Sequence, residues 1–160
     1  MLYKPSQTII QEEQNMKTAV VYYSKHQGNT KKLLDAIAER NEITLIDVTE
    51  DPTADLSEFD RIGFASGIYY SKFQKSLLKF AEERLPEKKD VFFIYTCGAE
   101  KDGYTKAIAE AVKKSNARIL GKFGCLGFDT FGPFKLIGGI AKGHPNKTDL
   151  ENAVGFYEKL

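Results

Sequence analysis

The stretch Ser24-Lys25-His26-Gln27-Gly28-Asn29-Thr30 has the residue types and spacing of an anion-binding turn. Its hydroxyl groups at both ends, the Asn29 amide and the permissive Gly28 can combine with free backbone N–H groups at a helix start to hold a phosphate. The stretch has neither the glycine-lysine-serine/threonine ending of a Walker A loop nor the spacing of a dinucleotide-binding turn. We therefore predict a phosphate loop of another kind, with an ordinary polar turn as the alternative. His26 could contact the phosphate when protonated, or lie in solvent.

Two further segments, each after an apolar run, combine small and aromatic residues. Glycines let the backbone approach a ligand closely, and tyrosines offer a stacking face, although aromatic residues near a sheet end often serve packing alone. Helical spacing with Ala107 and Ile108 makes Tyr104 equally suited to the core. With the phosphate loop counted as the first segment, the candidate residues are Ser66, Gly67, Ile68, Tyr69 and Tyr70 in the second segment, and Thr96, Cys97, Gly98, Ala99 and Tyr104 in the third.

The elements that must position these segments alternate between strand and helix patterns. Short apolar runs predict five buried strands at 18–23, 43–48, 59–66, 91–95 and 117–128. Asn29 is predicted to cap the first helix, the second to start near Ser71 and end before Pro86, and a capping box at 148–151 to open the last. This alternation predicts an α/β domain with a doubly wound five-stranded parallel sheet over residues 16–160, after an extended or disordered segment 1–15.

The segments that follow the first, third and fourth predicted strands should meet at one rim, because ligands of such sheets bind beyond the carboxyl ends of the strands. The phosphate-loop spacing resembles that of the flavodoxin family, with Ser24, Gly28 and Thr30 matching its first hydroxyl, glycine and last hydroxyl. The resemblance extends from Met16 to Leu160. It implies the strand order 2-1-3-4-5 and one FMN held without a covalent bond. It also implies that the segments at 66–70 and 96–104 contact the flavin ring. In that family a peptide of the segment at 66–70 hydrogen-bonds flavin N5 in the reduced states.

The resemblance implies an FMN-binding electron-transfer protein that works with redox partner proteins. One alternative is an FMN-dependent oxidoreductase that reduces quinones or similar acceptors with NAD(P)H. Another is a flavin-free binding module of the same fold. A response-regulator receiver is disfavoured, because Tyr23-Ser24 and Ser66-Gly67 stand where it needs acidic residues.

The composition narrows the partner classes. The 160 residues carry 23 lysines and arginines against 22 aspartates and glutamates, a formal net charge of +1. This balance disfavours a nucleic-acid binder and gives no sign of electrostatic membrane docking, and no apolar run is long enough to span a bilayer. It also departs from the strong acidity of the best-studied flavodoxins. We expect a cytoplasmic protein.

The two cysteines and one long segment complete the sequence-based expectations. Cys97 and Cys125 are expected to be reduced, buried thiols, with a redox pair as the alternative. No cysteine or histidine spacing indicates a metal site. The glycine-rich segment from Gly124 to Gly143 is unusually long for a connection, so it could shield the flavin or present a partner surface.

Overall fold

A computed structural model describes residues 15–160, so the predicted segment 1–15 lies, apart from Asn15, outside the described residues. Strands and helices alternate along the chain. They are β1 (Thr18–Tyr23), α1 (Asn29–Arg40), β2 (Thr44–Asp47), β3 (Arg61–Tyr69), β4 (Lys72–Phe73), α2 (Lys75–Arg84), β5 (Asp90–Cys97), α3 (Lys106–Lys113), β6 (Arg118–Leu126), a 3-10 helix (Gly132–Ile137) and α4 (Lys147–Glu158).

The predicted sheet is confirmed. Five parallel strands pair in the order β2-β1-β3-β5-β6, which is the expected order 2-1-3-4-5 once the short β4 is left out of the count. β4 pairs antiparallel with the end of β3. The helices α1 and α4 pack together, as do α2 and α3, and the two pairs cover opposite faces of the sheet. Among the described residues, no helix has the length and apolar character needed to cross a membrane.

The central strand β1 shows why its apolar run is continuous rather than alternating. Ala19 and Val21 are fully buried in the core beneath α2 and α3, whereas Val20 is fully buried in the core beneath α1 and α4. Successive side chains of a strand point to opposite faces. A strand covered on both faces therefore needs an apolar residue at every position.

Aromatic rings lie across glycines on neighbouring strands. Gly63 of β3 pairs with Phe92 of β5, and Gly124 of β6 pairs with Tyr95. A Cβ atom at Gly63 would lie 2.5 Å from the Phe92 ring, and one at Gly124 would lie 2.1 Å from the Tyr95 ring. The glycines that interrupt the strand patterns thus make room for large rings in the two faces of the sheet.

The second predicted helix starts later than its apolar spacing indicates. It begins at Lys75, behind the N-cap Gln74, whose side chain accepts from Ser76 N at 2.6 Å. The prediction of a start near Ser71 is wrong, because Phe73 reaches the core from β4 instead. Tyr70 and Ser71 form the tight turn between β3 and β4, with φ values of 51° and 65°. The buried Phe73 of this two-residue strand has the sequence spacing that a first helical turn would also give.

The helix caps also differ from the prediction. Asn29 is the first residue of α1, and the N-cap is Gly28 with a left-handed φ of 65° and no side-chain hydrogen bond. The capping box of α4 joins Asn146 and Asp149 rather than residues 148 and 151. At the opposite end of α4, the Arg61 guanidinium donates to the Leu160 carbonyl at 3.5 Å, which sets the end of the chain beside the first residue of β3.

Residues 127–146 form the long connection between β6 and α4, and we call them the 127–146 segment. Its two ends are joined by an antiparallel bridge between Asp129 and Ile140, with the 3-10 helix between them. None of the side chains of that 3-10 helix is buried. The segment therefore lies on the surface and is held at its base.

Candidate functional site

A cleft lies at the carboxyl ends of β1, β3 and β5, where the sequence predicts that three segments meet. It is bordered on its remaining side by the 127–146 segment and opens to solvent. The space in it that water can occupy is about 30 Å³. The cleft is lined by Ser24, His26, Asn29, Thr30, Gly67, Ile68, Tyr69, Thr96, Cys97, Gly98, Gly127, Phe128, Asp129 and Phe131.

The predicted phosphate loop, residues 24–30, leads into the first turn of α1, where two backbone N–H groups are unpaired in the described part of the chain. Lys31 N donates to Ser24 Oγ at 3.0 Å, and Lys32 N donates to Gly28 O at 3.1 Å. Within the described residues, the backbone N–H groups of Asn29 and Thr30 find no such acceptor. Unpaired N–H groups and the positive end of the helix dipole favour an anion at this position.

The side chain of Asn29 is turned into the protein rather than used as a cap. It is 6% exposed, and its Nδ2 donates to Phe128 O at 2.7 Å. Its Oδ1 is buried without a hydrogen-bond partner among the described residues. A buried acceptor without a donor is costly, so the cleft can satisfy it with a hydroxyl or amide donor of a ligand.

A pair of threonines joins the first loop to the third. Thr30 is 1% exposed, and its Oγ1 lies 2.9 Å from Thr96 Oγ1, so one hydroxyl donates to the other. This bond fixes the start of α1 against the end of β5. The phosphate loop and the third segment are therefore held together as one rim.

Tyr69 stands beside Gly67 as one wall of the cleft. A Cβ atom at Gly67 would lie 3.4 Å from the Tyr69 ring, which also meets the Tyr23 ring edge-on at 5.7 Å between centroids. Burial, followed by the charge that Tyr23 can carry, raises the pKa of Tyr69 to about 12. Tyr69 therefore stays protonated at neutral pH and offers an aromatic face and a neutral hydroxyl.

The third segment is more enclosed than its sequence suggests. β5 continues through Thr96 and Cys97, so these residues lie in a strand rather than a loop. A Cβ atom at Gly98 would lie 2.6 Å from Asp129 Oδ2 and 2.8 Å from Ile140 Cδ1. The side chains of Asp129 and Ile140, both in the 127–146 segment, therefore pack closely against the Gly98 backbone.

The two cysteines are free and buried. The Cys97 thiol donates to the carbonyl of Cys125 at 3.5 Å. Burial raises the pKa of Cys97 to about 11 and that of Cys125 to about 12. Both thiols therefore remain protonated at neutral pH and cannot act as nucleophiles, which require a thiolate.

Several residues predicted to contact a ligand do not line the cleft. Lys25 turns towards Asp47 and Glu50, with N–O distances of 3.3 Å and 3.8 Å. Tyr104 is 7% exposed and donates its hydroxyl to Ala99 O at 2.6 Å, so its place is in the core and not against an outer ring face. The others outside the lining are Gln27, Gly28, Ser66, Tyr70 and Ala99.

The 127–146 segment supplies the part of the site that residue-level analysis of the sequence misses. Thr130 N donates to His26 Nε2 at 3.2 Å, and Gln27 Nε2 donates to Thr130 Oγ1 at 3.3 Å. Phe131 meets the rings of Tyr69, Tyr70 and His26 edge-on. The length of the segment signals a function, but no local pattern shows which of its residues reach the phosphate loop.

The groups in the cleft fit FMN in kind. Open N–H groups and hydroxyls at the helix start suit a phosphate, the unpaired Asn29 Oδ1 suits a hydroxyl of a ribityl chain, and the Tyr69 face suits a flat ring.

Comparison with known proteins agrees with this geometry. The sequence profile of the family described as "Flavodoxin domain" matches residues 20–127. A curated relative, an uncharacterized protein of Methanocaldococcus jannaschii, is 34% identical over 147 residues, which cover 91% of this chain and 98% of that protein.

Solved structures of flavodoxins share the fold. Oxidised flavodoxin 2 from Bacillus cereus superposes with a TM-score of 0.60 and 18% identity, covering 90% of this chain and 99% of that one. The WrbA-like flavodoxin from Agrobacterium tumefaciens superposes with a TM-score of 0.61 and 22% identity, covering 90% of this chain and 94% of that one.

Proposed function

The chain belongs to the flavodoxin domain family, and from that membership we propose that it binds one FMN without a covalent bond and exchanges electrons with redox partner proteins. The observation that carries the proposal is the convergence of three separate segments on one cleft. Ser24 to Thr30, Gly67 to Tyr69 and Thr96 to Gly98 lie far apart in sequence, and each contributes to its lining.

The phosphate loop would hold the phosphate of FMN. The backbone N–H groups of Asn29 and Thr30 donate to its oxygens, and Ser24 keeps its hydroxyl hydrogen free to donate while its oxygen accepts from Lys31 N. These donors are neutral, so they work through the helix end and through geometry rather than through a paired cation. Lys25, committed to Asp47 and Glu50, stays outside this set.

The ring would lie along the wall made by Gly67, Ile68 and Tyr69. Tyr69 offers its ring face, and its raised pKa keeps the hydroxyl protonated, so no negative charge from Tyr69 opposes a reduced ring. The backbone at Gly67 would bring a peptide group close to the ring edge, where it could donate or accept a hydrogen bond. When bound, FMN supplies the one- and two-electron chemistry, and the protein supplies binding, orientation and electrostatics.

The decisive experiment is an absorbance and fluorescence titration of the full chain with FMN and with riboflavin. We expect one FMN per chain, quenched flavin fluorescence, and release of unmodified FMN on denaturation. Tighter binding of FMN than of riboflavin would show that the phosphate loop is used. A chain that binds no FMN after unfolding and refolding in its presence would overturn the proposal.

Turnover separates a carrier from an enzyme. For a carrier, the FMN-loaded chain should accept electrons only when a partner reductase is added. Steady NAD(P)H oxidation by the pure chain in the presence of a quinone would instead assign it to the oxidoreductases. Control reactions with free FMN at the same concentration exclude chemistry of released flavin.

A further inference from the structure

Exposed apolar side chains gather beside the mouth of the cleft. The described part of the chain exposes six large apolar side chains, and four of them are Tyr70, Phe131, Leu136 and Ile137, which we call the rim patch. The Tyr70 and Phe131 rings meet edge-on with 5.7 Å between centroids, and Phe131 also lines the cleft. Single exposed apolar residues are ordinary, but a group of them beside a ligand site indicates a surface that another molecule covers.

The rim patch is held in a fixed shape by its own backbone. Leu136 and Ile137 end the 3-10 helix that starts directly after Phe131. At the start of this helix, Phe131 N donates to Asp129 Oδ1 at 2.8 Å, and after its end Gly139 N donates to a carbonyl of the helix at 2.8 Å. A surface that is already ordered loses less conformational entropy when a partner binds.

Three exposed lysines surround the rim patch. Lys72 directly follows the β3–β4 turn, and Lys135 lies in the 3-10 helix. Lys142 comes back to the end of that helix, where its Nζ would lie 3.7 Å from a Cβ atom at Gly138. None of the three forms an ion pair with a carboxylate of the described residues. Their charges are therefore available to another molecule.

The sequence around these lysines carries one sign of charge. The stretches 61–81 and 130–148 contain no aspartate or glutamate, although the whole chain has a formal net charge of only +1. The Asp129 side chain, just before the second stretch, is 19% exposed and accepts from the backbone. Glu100 and Asp102 border a separate depression. The surface around the rim patch is therefore positive in a chain that is nearly balanced as a whole.

We propose that the rim patch and its three lysines dock an acidic redox protein at the mouth of the cleft. The inference rests on the proposed function and names the class of partner. Carboxylates of the partner pair with Lys72, Lys135 and Lys142, and an apolar centre of the partner covers Leu136 and Ile137. One electron then passes between the partner and the flavin, so that one is oxidised as the other is reduced and no bond is formed or broken.

The shape of the surface favours a protein over a membrane. Apolar residues beside lysines also occur in helices that lie on anionic membranes, but such helices have a long apolar face. Here the 3-10 helix Gly132–Ile137 has six residues, and the exposed apolar groups are divided between it and the β3–β4 turn. Redox proteins form small transient interfaces that bury less than about 1,200 Å², for which a patch of this extent suffices.

The test is an anaerobic stopped-flow measurement of electron transfer from a reduced, acidic [2Fe–2S] ferredoxin to the FMN-loaded full chain. Opposite charges steer association over the Debye length, so we expect the second-order rate constant to fall about tenfold as salt rises from about 20 mM to about 300 mM. At low salt, K135Q/K142Q should lower this rate constant about fivefold. L136S/I137S should lower it about fivefold at both salt concentrations, because the apolar contact is not screened.

A basic partner and a matched variant serve as controls. With the reduced chain as donor and oxidised cytochrome c, a basic protein, as acceptor, K135Q/K142Q should raise the rate constant at low salt, because repulsion is removed. K113Q/K159Q removes the same charge from exposed positions at the ends of α3 and α4 and should leave both rate constants within about twofold of wild type. All variants should bind FMN like wild type, since none of the replaced residues lines the cleft.

The outcomes separate this inference from the proposed function. If wild-type chain binds no FMN, both fail. If it binds FMN and the ferredoxin rate constants of K135Q/K142Q and L136S/I137S equal that of wild type, the proposed function stands and the inference is overturned. Cosedimentation with vesicles of equal parts phosphatidylcholine and phosphatidylserine that is lost in K135Q/K142Q would assign the patch to a membrane and also overturn it. Calorimetric titration with oxidised ferredoxin supplies a readout independent of electron transfer, and we expect weaker binding by K135Q/K142Q than by K113Q/K159Q.

Discussion

The Asn29 side chain donates to the carbonyl of Phe128 at 2.7 Å, across 99 positions of sequence. The bond joins the first turn of α1 to the base of the 127–146 segment. It explains why this asparagine is 6% exposed although its position after a glycine resembles a solvent-facing cap. The residue that begins α1 is thereby also the residue that holds the base of the 127–146 segment.

Loss of this bond should weaken both stability and ligand binding. N29A removes the donor and leaves Phe128 O unpaired, which costs about 1–2 kcal/mol of the free energy of unfolding. Urea unfolding followed by circular dichroism measures the change. N152A, at an exposed helical position, should change the stability by less than about 0.5 kcal/mol. If N29A unfolds with the same free energy as wild type, the 127–146 segment is anchored elsewhere.

Removal of the Ser24 hydroxyl should weaken binding of the FMN phosphate and leave binding of the ring unchanged. S24A takes away a donor to the phosphate and the acceptor of Lys31 N. We expect its Kd for FMN to rise about tenfold, the equivalent of about 1.4 kcal/mol, with a change of less than twofold for riboflavin. Fluorescence titration with both ligands measures this ratio. T53A changes an exposed threonine that does not line the cleft and serves as control, and an equal loss for both ligands would contradict a phosphate role.

Because the Tyr95 ring lies across Gly124, replacing the glycine by alanine should destabilise the chain strongly. A methyl group at Gly124 would lie 2.1 Å from the Tyr95 ring, so G124A should lower the free energy of unfolding by about 1–3 kcal/mol. Gly155 in α4 has open space around its Cβ direction. G155A should therefore raise the stability by up to about 1 kcal/mol through helix propensity. Chemical denaturation of both variants compares them directly, and equal midpoints would refute the packing argument.

Alkaline pH should destabilise the chain through its buried thiols. The pKa of Cys97 is raised to about 11 and that of Cys125 to about 12, whereas thiols of the unfolded chain ionise near their ordinary values. Above those ordinary values the unfolded state binds fewer protons than the folded state, so the free energy of unfolding falls as pH rises. We expect this fall to start near the ordinary thiol pKa of 9.0 and to continue towards the folded values of about 11 and 12. Urea unfolding at pH 8 and at about pH 10 should show a smaller fall in C97A/C125A than in wild type, and a flat profile in wild type would contradict the thiol assignment.

The sequence predicts the sheet well because its signals are local. The β1 run is apolar at every position since both faces are covered, and that pattern identifies a buried strand without further knowledge. The turn between β1 and α1 is equally easy to identify, because a strand, a glycine and hydroxyls adjoin in one stretch. These parts need only short-range chemistry to be identified.

The parts that fail depend on distant partners. Tyr104 has the same helical spacing whether it faces a ligand or the core, and only the carbonyl of Ala99 decides between them. Phe131 carries no local mark at all, since its place is set by rings from β3 and the phosphate loop. Phe73 reaches the core from a strand at a spacing that a helix would also give.

The contact of Arg61 with Leu160 has a practical consequence for electrochemistry. It puts Leu160 at the amino ends of the strands, while the cleft opens at their carboxyl ends. A linker attached after Leu160 would orient the molecule on an electrode with the cleft facing the solution. Voltammetry of molecules attached in this way would therefore report encounters with soluble partners. Because Leu160 and the cleft lie at opposite ends of the strands, a reductase fused after Leu160 through a flexible linker would also leave the cleft free.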